Sequence, residues 1–152
     1  MPIYLIRHAN AGRRQPGTHD RERPLDESGR AQSARIRDHL DDAGIKQILS
    51  SPALRCRQTV EPLAAEVGIA VEVDEALWEG RGIASALTLI ARTAATGHAV
   101  ALCSHGDVIP MTLDALAAQG VPLRGVGCAK GSIWRLDVTD GEIVAGSYTP
   151  TP

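Results

Sequence analysis

The segment Ile3-Tyr4-Leu5-Ile6 is a short apolar run, and Arg7 and His8 follow it directly. A run of this length, bounded by polar residues, predicts a buried β-strand rather than a helix. The next stretch, from Asn10 to Asp26, is polar and rich in Arg, Gly and Pro. Loops of this length in compact domains are often functional. The first predicted strand therefore ends in two basic residues beside a candidate site loop.

Helical and strand patterns alternate along the rest of the chain. Predicted strands cover residues 45–50, 69–73, 98–103, 132–138 and 142–148. Predicted helices cover residues 27–43, 53–67, 83–96 and 108–118. Gly44 is expected to cap the end of the first helix, and Ser51-Pro52 to supply the N-cap and the first helical residue of the second. The last two strands flank Thr139-Asp140-Gly141, a hairpin turn. This order predicts an α/β fold, a three-layer α/β/α sandwich with a mostly parallel sheet and antiparallel closing strands.

The composition favours one globular domain over residues 1–152. Hydrophobic residues make up 43% of the chain and charged residues 22%, which argues against disorder. The net charge is −2 and aromatic residues are only 3%, so an extended nucleic-acid surface with base-stacking rings is not expected. Fourteen of the 16 basic residues are arginines, and Lys46 and Lys130 are the only lysines. Because the net charge is slightly negative, any anion site must be a local cluster of these basic residues.

The cysteines and apolar runs bear on the cellular location. Cys56, Cys103 and Cys128 are odd in number and widely spaced, which favours reduced, packed thiols over a disulfide framework. No run approaches the ~20 apolar residues of a membrane span, and no signal-peptide pattern is present. We expect a cytoplasmic protein with no membrane association, and the sequence does not predict its oligomeric state.

Basic side chains follow three of the predicted strands. Parallel sheets bind ligands beyond the carboxyl ends of their strands. Arg7 and His8 follow the first strand, Arg55 lies in the first turn of the helix after the second, and His105 follows the strand at 98–103. Two histidines and two arginines suit a phosphate better than a metal ion, because guanidinium groups repel a cation. We expect a phosphate pocket with no metal and no cofactor.

Three motifs in this order resemble those of a known family. They are Leu5-Ile6-Arg7-His8-Ala9, the segment Ser50-Ser51-Pro52-Ala53-Leu54-Arg55-Cys56-Arg57-Gln58-Thr59, and Ser104-His105-Gly106. Together they resemble the histidine phosphatase superfamily, which has the phosphoglycerate-mutase-like fold. Ala9 and the segment at 20–29 are similar to the small SixA-like branch, the phosphohistidine phosphatases. The segments at 61–66 and 130–134 are similar to the histidine-phosphatase domain of actinobacterial MutT-like proteins, in which it is fused to a Nudix domain.

The resemblance implies a metal-independent phosphatase. His8 is the expected nucleophile and forms a phosphohistidine intermediate, while Arg7, Arg55 and a protonated His105 are expected to hold the phosphate oxygens. The family's general acid matches Glu79 in Leu77-Trp78-Glu79, with Glu75 as the reserve and no acid as the third possibility. The expected substrates are a protein phosphohistidine, a phosphorylated small molecule or a nucleotide. Five loop residues are candidates for the pocket mouth, and a solvated, charged loop explains most of them equally well: Asn10, Arg13, Arg14, Arg21 and Arg23.

Two other function classes remain open. One is a catalytically weak, phosphate-binding regulatory module, which a missing general acid would favour. The other is a nucleic-acid-binding domain that uses the Arg-rich loop, and the net charge disfavours it. A cysteine-based phosphatase is excluded because no cysteine starts a Cys-x5-Arg motif, and Lys130-Gly131-Ser132 has the reverse order of a phosphate-binding P-loop.

Overall fold

A seven-stranded sheet forms the centre of the computed structural model, which describes residues 1–152. The strands lie side by side in the order β3-β2-β4-β1-β6-β7-β5. In chain order they are β1 (Ile3–Arg7), β2 (Ile45–Ser50), β3 (Val71–Val73), β4 (Ala99–Ser104), β5 (Leu123–Arg124), β6 (Ile133–Thr139) and β7 (Glu142–Thr149). Because β6 alone runs against its neighbours β1 and β7, the sheet is mostly parallel, as predicted.

Four helices cover the two faces of this sheet: α1 (Glu27–Leu40), α2 (Leu54–Val67), α3 (Ala84–Ala95) and α4 (Val108–Ala118). Side chains of β4 alternate between two cores. Ala101 packs with the buried residues of α1 and α2, whereas Leu102 packs with those of α3 and α4. Full burial of a side chain such as Leu102 contributes about 1.5–3 kcal/mol. The two cores confirm the three-layer α/β/α sandwich.

The hairpin between β6 and β7 has the predicted turn. Asp140 and Gly141 both have positive φ angles, 51° and 77°. Thr139 pairs directly with Glu142 across the turn. Two consecutive residues with positive φ are what a two-residue hairpin turn of this handedness requires, and Asp-Gly tolerates them well.

Three local predictions were wrong. Helix α1 ends at Leu40 instead of residue 43, because Asp41 and Asp42 place two carboxylates at the negative end of the helix dipole. Gly44 has φ +71°, but it lies in the turn before β2 and does not cap α1. Helix α2 starts at Leu54 with Ala53 as its N-cap residue, and the Ser51 hydroxyl accepts from the Ala53 amide at 3.3 Å as well as contacting His105. The short strand β5 was not predicted.

The helices and thiols give two further structural facts. None of the helices combines the length and the apolar character needed to cross a membrane. The three cysteines are free, and Cys56 and Cys103 are buried in the core between the sheet and α2.

Candidate active site

The carboxyl ends of β2, β4 and β1 are adjacent and place the three motifs at one edge of the sheet. Arg7 is in register with Ser104, and the His8 amide donates to the Ser104 carbonyl at 3.0 Å. The Ser51 amide donates to the Cys103 carbonyl at the same distance. The residues that follow the strands are thus held by continued main-chain pairing, and the rings of His8 and His105 lie 5.5 Å apart.

His8 is nearly buried, with 6% of its surface exposed. Its Nδ1 lies 2.8 Å from the Ala9 carbonyl. A carbonyl can only accept, so Nδ1 carries the proton and Nε2 keeps its lone pair. Burial lowers the pKa of His8 to about 3, and the charges of Arg55 and Arg7 act in the same direction. The ring is therefore neutral at physiological pH, as a nitrogen nucleophile must be.

His105 is held from both sides of its ring. Its Nε2 lies 2.8 Å from the Ser51 hydroxyl, and its Nδ1 lies 3.6 Å from Oε2 of Glu79. The Trp78 ring packs edge-on at 5.2 Å between centroids. The residue is 1% exposed, so these contacts fix the ring orientation. Nη2 of Arg55 lies 3.4 Å from the same Nδ1, so Arg55 and Glu79 both contact this nitrogen.

Arg55 lies in the first turn of α2 and is buried, with 1% exposure. Its Nη2 is 3.0 Å from Oε1 of Glu79 and 3.2 Å from Oδ2 of Asp20. Burial alone would raise the pKa of Asp20, but Arg55 and Arg23 outweigh it and lower that pKa. The Arg55 Nε is buried without a hydrogen-bond partner, so the guanidinium has a free donor.

Arg7 carries the second guanidinium of the site. Its Nη1 donates to the Cys128 carbonyl at 2.7 Å, and its Nε is buried without a partner. A Cβ atom on Gly106 would lie 2.7 Å from Cζ of Arg7. The glycine of the Ser-His-Gly motif is therefore needed because Arg7 packs over its backbone. Unpaired buried donors cost free energy, so both guanidinium groups are held at the site at some cost to the fold.

The Gln58-Thr59 pair of the second motif holds the segment around His8 in place through hydrogen bonds. Gln58 Oε1 accepts from the Leu25 amide at 2.9 Å, which fixes the end of the 10–26 loop. The Thr59 hydroxyl accepts from the Ala9 amide at 2.9 Å and donates to the Arg55 carbonyl. The Gln-Thr pair therefore holds the loop and the His8 segment against α2.

A cavity of about 320 Å³ opens beside these residues, and no hydrophobic side chain lines it. Its lining residues are Arg7, His8, Arg14, Arg23, Arg55, Glu79, Gly106, Asp107 and Lys130. His105 does not line the cavity and lies behind it, against His8. The structure thus brings the four predicted phosphate-binding residues together. It contains no cluster of three or more His, Cys, Asp or Glu residues suited to a metal ion.

The two acid candidates lie in different places. Glu79 lines the cavity, whereas Glu75 pairs with Arg21 at 3.1 Å and with Arg81 at 3.6 Å. The Arg21 guanidinium also stacks on Trp78, 4.4 Å from the ring centroid. Glu75 is therefore tied to surface arginines, and Glu79 is the carboxylate near the phosphate pocket.

The structure divides the candidate loop residues into two groups. Arg14 and Arg23 line the cavity, but Asn10, Arg13 and Arg21 do not. Asn10 donates to the Ser28 hydroxyl, which holds the side chain on α1. Arg21 is drawn away because Trp78 and Glu75 offer it a ring face and a carboxylate.

Sequence reasoning missed three contributors to the site. Ser51 orients His105, the Cys128 carbonyl orients Arg7, and Lys130 lines the cavity. The amide of Gly131 donates to the carbonyls of both Arg7 and His8, at 3.1 Å each. Ser51 lies inside the second motif and Lys130 inside the segment at 130–134, but the contacts that they make depend on the fold and not on the local sequence.

A model of the histidine phosphatase superfamily (branch 1) matches residues 3–82, just over half of the chain. The chain belongs to the histidine phosphatase superfamily. The resemblance seen in the three motifs is thus confirmed, and the phosphoglycerate-mutase-like fold with it. A structure from Agrobacterium tumefaciens that carries the name phosphohistidine phosphatase SixA superposes with a TM-score of 0.72 at 29% identity, over 95% of this chain and 96% of that one.

A curated relative and a second solved structure are also similar to this histidine phosphatase. The 8-oxo-(d)GTP phosphatase of Mycolicibacterium smegmatis is 33% identical over 99% of this chain and 48% of its own length. A SixA protein histidine phosphatase in complex with tungstate, 20% identical, has a TM-score of 0.77 over 98% of this chain and 94% of that one, which shows the shared fold. The chain spans at most about half the length of the curated relatives it matches.

Proposed function

We propose that this protein is a metal-independent phosphatase that transfers the phosphoryl group of its substrate to Nε2 of His8 and then to water. The observation that carries the proposal is the state of His8. Its Nδ1 is hydrogen-bonded to the Ala9 carbonyl, burial keeps the ring neutral, and the residue lines a cavity together with four arginines. A neutral imidazole with a free Nε2 beside cationic groups is what attack on phosphorus requires.

In the first step, Nε2 of His8 attacks phosphorus and the bond to the leaving group breaks. Arg7 and Arg55 line the cavity beside His8 and hold the non-bridging oxygens, and the His105 ring packs behind His8. Such preorganised donors stabilise the charge of a loose transition state. In the second step, water attacks the phosphohistidine, the P–N bond breaks and inorganic phosphate leaves.

Glu79 is the proposed general acid. It lines the cavity, and its oxygens lie 3.0 Å from Arg55 and 3.6 Å from His105. An alkoxide leaving group needs a proton, so Glu79 donates one to a phosphomonoester and recovers it from the attacking water. An imidazole leaving group depends less on this acid.

The proposed substrates are a protein phosphohistidine or a phosphorylated small molecule such as a nucleotide. The first is supported by the fold and identity shared with the Agrobacterium structure, and the second by the 8-oxo-(d)GTP phosphatase relative. The polar lining of the cavity suits both, because it recognises a phosphate and little of what carries it.

The test is phosphate release from a panel of a phosphohistidine protein, nucleotides, sugar phosphates and phenyl phosphate, each with and without EDTA. Wild type and His98→Ala, which changes an exposed histidine before β4, are expected to release phosphate equally well in both buffers. His8→Ala is expected to lose activity on every substrate. Abolition by EDTA, or survival of most activity in His8→Ala, would contradict the mechanism. Phosphate binding without release in wild type would instead indicate a regulatory module.

A further inference from the structure

More cations than carboxylates line the cavity beside His8. Five of its nine lining residues are Arg or Lys, and two are acidic. The acidic pair is already engaged. Glu79 pairs with Arg55, while the two oxygens of Asp107 accept from the Gly80 and Val108 amides at 2.9 and 2.7 Å. Cationic charge therefore remains for a ligand.

Arg23 is not part of this excess. Its Nε donates to Asp20 at 3.1 Å and its Nη1 to the Gly12 carbonyl at 2.9 Å. These bonds make it a brace inside the 10–26 loop. Beyond Arg7 and Arg55, the cations with N–H groups left unpaired are Lys130 and Arg14, of which only Nε is engaged by Asp20.

Lys130 is held at the cavity by its backbone. The next amide, of Gly131, bonds to the Arg7 and His8 carbonyls, and the Lys130 carbonyl accepts from Thr151 at 2.7 Å. The side chain is exposed and forms no salt bridge with any carboxylate of the chain. An ammonium group thus lies at the rim of the phosphate pocket with no counter-ion in the protein.

Arg14 and Arg55 both contact the carboxylate of Asp20. Oδ1 of Asp20 is 3.3 Å from Nε of Arg14, and Oδ2 of the same residue is 3.2 Å from Nη2 of Arg55. The Arg14 side chain is 73% exposed, so most of its N–H groups face solvent. Its guanidinium can therefore bind an anion that sits next to the one held by Arg55.

We propose that Arg14 and Lys130 form a subsite for a second phosphate group, bonded directly to the one that His8 accepts. The substrate class is then a small-molecule phosphoanhydride: a nucleoside diphosphate or triphosphate, or inorganic pyrophosphate. The assignment of the transferred group rests on the proposed function. The absence of hydrophobic lining fits this class, because charge rather than an apolar surface provides the recognition.

Phosphoryl transfer from such a substrate needs no general acid, because the leaving group is itself a phosphate. The bond from His8 Nε2 to phosphorus forms, the anhydride P–O bond breaks, and the electron pair leaves with the second phosphate. Lys130 and Arg14 offset the charge that develops on this leaving phosphate. Water then releases inorganic phosphate from His8, and its proton passes to solvent.

Equilibrium binding tests the subsite without turnover. The probes are imidodiphosphate, a pyrophosphate analogue with a P–N–P bridge, and orthophosphate, each titrated calorimetrically into the full chain. We expect wild type to bind imidodiphosphate at least about tenfold more tightly, and the ratio of dissociation constants to fall to about 1–3 in Arg14→Ala/Lys130→Ala. The control Arg13→Ala/Lys46→Ala removes the same charge outside the cavity and keeps the wild-type ratio. The ratio is also expected to fall as salt increases, since both cations are exposed.

Equal wild-type affinity for the two anions, or the same ratio in the Arg14/Lys130 variant and in wild type, would overturn the proposal and favour a protein-borne single phosphate. Tighter binding of α,β-methylene-ADP than of imidodiphosphate supports the subsite and identifies nucleotides as the source. Equal binding of α,β-methylene-ADP and imidodiphosphate supports the subsite and identifies inorganic pyrophosphate as the substrate. Failure of the proposed function is a separate result, because it is measured as loss of phosphate release and not as a binding ratio.

Discussion

Replacing Gly106 by alanine places a methyl group against the guanidinium of Arg7. The new Cβ would lie 2.7 Å from Cζ and 2.9 Å from Nε, whereas ordinary contacts of a Cβ are 3.4–4 Å. The guanidinium must therefore move by about 0.7–1.3 Å, away from the position set by its bond to the Cys128 carbonyl. A displacement of about 1 Å in a group that positions the substrate can cost about 10²-fold in rate.

The same substitution has little reason to destabilise the fold. Gly106 is exposed and has no positive φ, and the atoms it displaces are at the end of a flexible side chain. We expect kcat/KM on phenyl phosphate to fall about 10²-fold, with a change in the free energy of unfolding below about 1 kcal/mol. Activity is measured by phosphate release and stability by urea unfolding.

Gly12→Ala is the matched control for this experiment. A Cβ at Gly12 would have no neighbour within 4 Å, and its φ is also not positive, so the same loss of backbone freedom occurs without a clash. Wild-type activity is expected in this variant. If Gly106→Ala stays within about threefold of Gly12→Ala, then the position of Arg7 is not what the glycine protects, and the reasoning is refuted.

Three further substitutions test the site. The pKa of His8 is about 3 in the folded chain and near 6.5 in the unfolded chain, so the unfolded chain binds the extra proton and the free energy of unfolding falls as the pH drops from 6.5 towards 3. Between pH 6 and 4, the free energy of unfolding of His8→Gln, measured in urea, should fall by about 1.4 kcal/mol less per pH unit than that of wild type. Parallel pH profiles of the two proteins would contradict this. Ser51→Ala leaves Nε2 of buried His105 with only the Cys56 thiol, 3.6 Å away, as a polar contact, so we expect unfolding free energy to fall by about 1–3 kcal/mol and kcat about tenfold. Unchanged kinetics would show that His105 needs no support from Ser51. Glu79→Gln should lower turnover of an alkyl phosphate about 10²-fold and that of a phosphohistidine much less, and equal losses on both would exclude Glu79 as the proton donor.

The layer architecture follows directly from the sequence because its signals are local. The short apolar runs at 3–6 and 98–103 fix two central strands, and Asp140-Gly141 fixes the hairpin turn. Arg7, His8, Arg55 and His105 follow from one general rule, that ligand-binding residues gather where parallel strands end. The structure places all four at the same edge of the sheet.

What the sequence could not predict depends on contacts between distant segments. Ser51 has the residue type and position of a helix cap, and its hydroxyl accepts from the Ala53 amide at 3.3 Å, but the chain after β4 also brings His105 within 2.8 Å of that hydroxyl. Arg21 shares a charged loop with Arg14, yet only the fold reveals that Trp78 lies under one of them. Such competition between equivalent partners is decided by tertiary geometry.

The most direct test of the mechanism is to trap the phosphorylated protein during turnover. A rapid acid-free quench with labelled substrate, followed by peptide mapping and ³¹P NMR, locates the phosphoryl group on the chain. Because Nδ1 of His8 is bonded to the Ala9 carbonyl, we expect the label on Nε2 of His8, in an acid-labile and base-stable linkage. Label on Nδ1, label on another residue, or steady turnover with His8 unmodified would contradict the proposed mechanism.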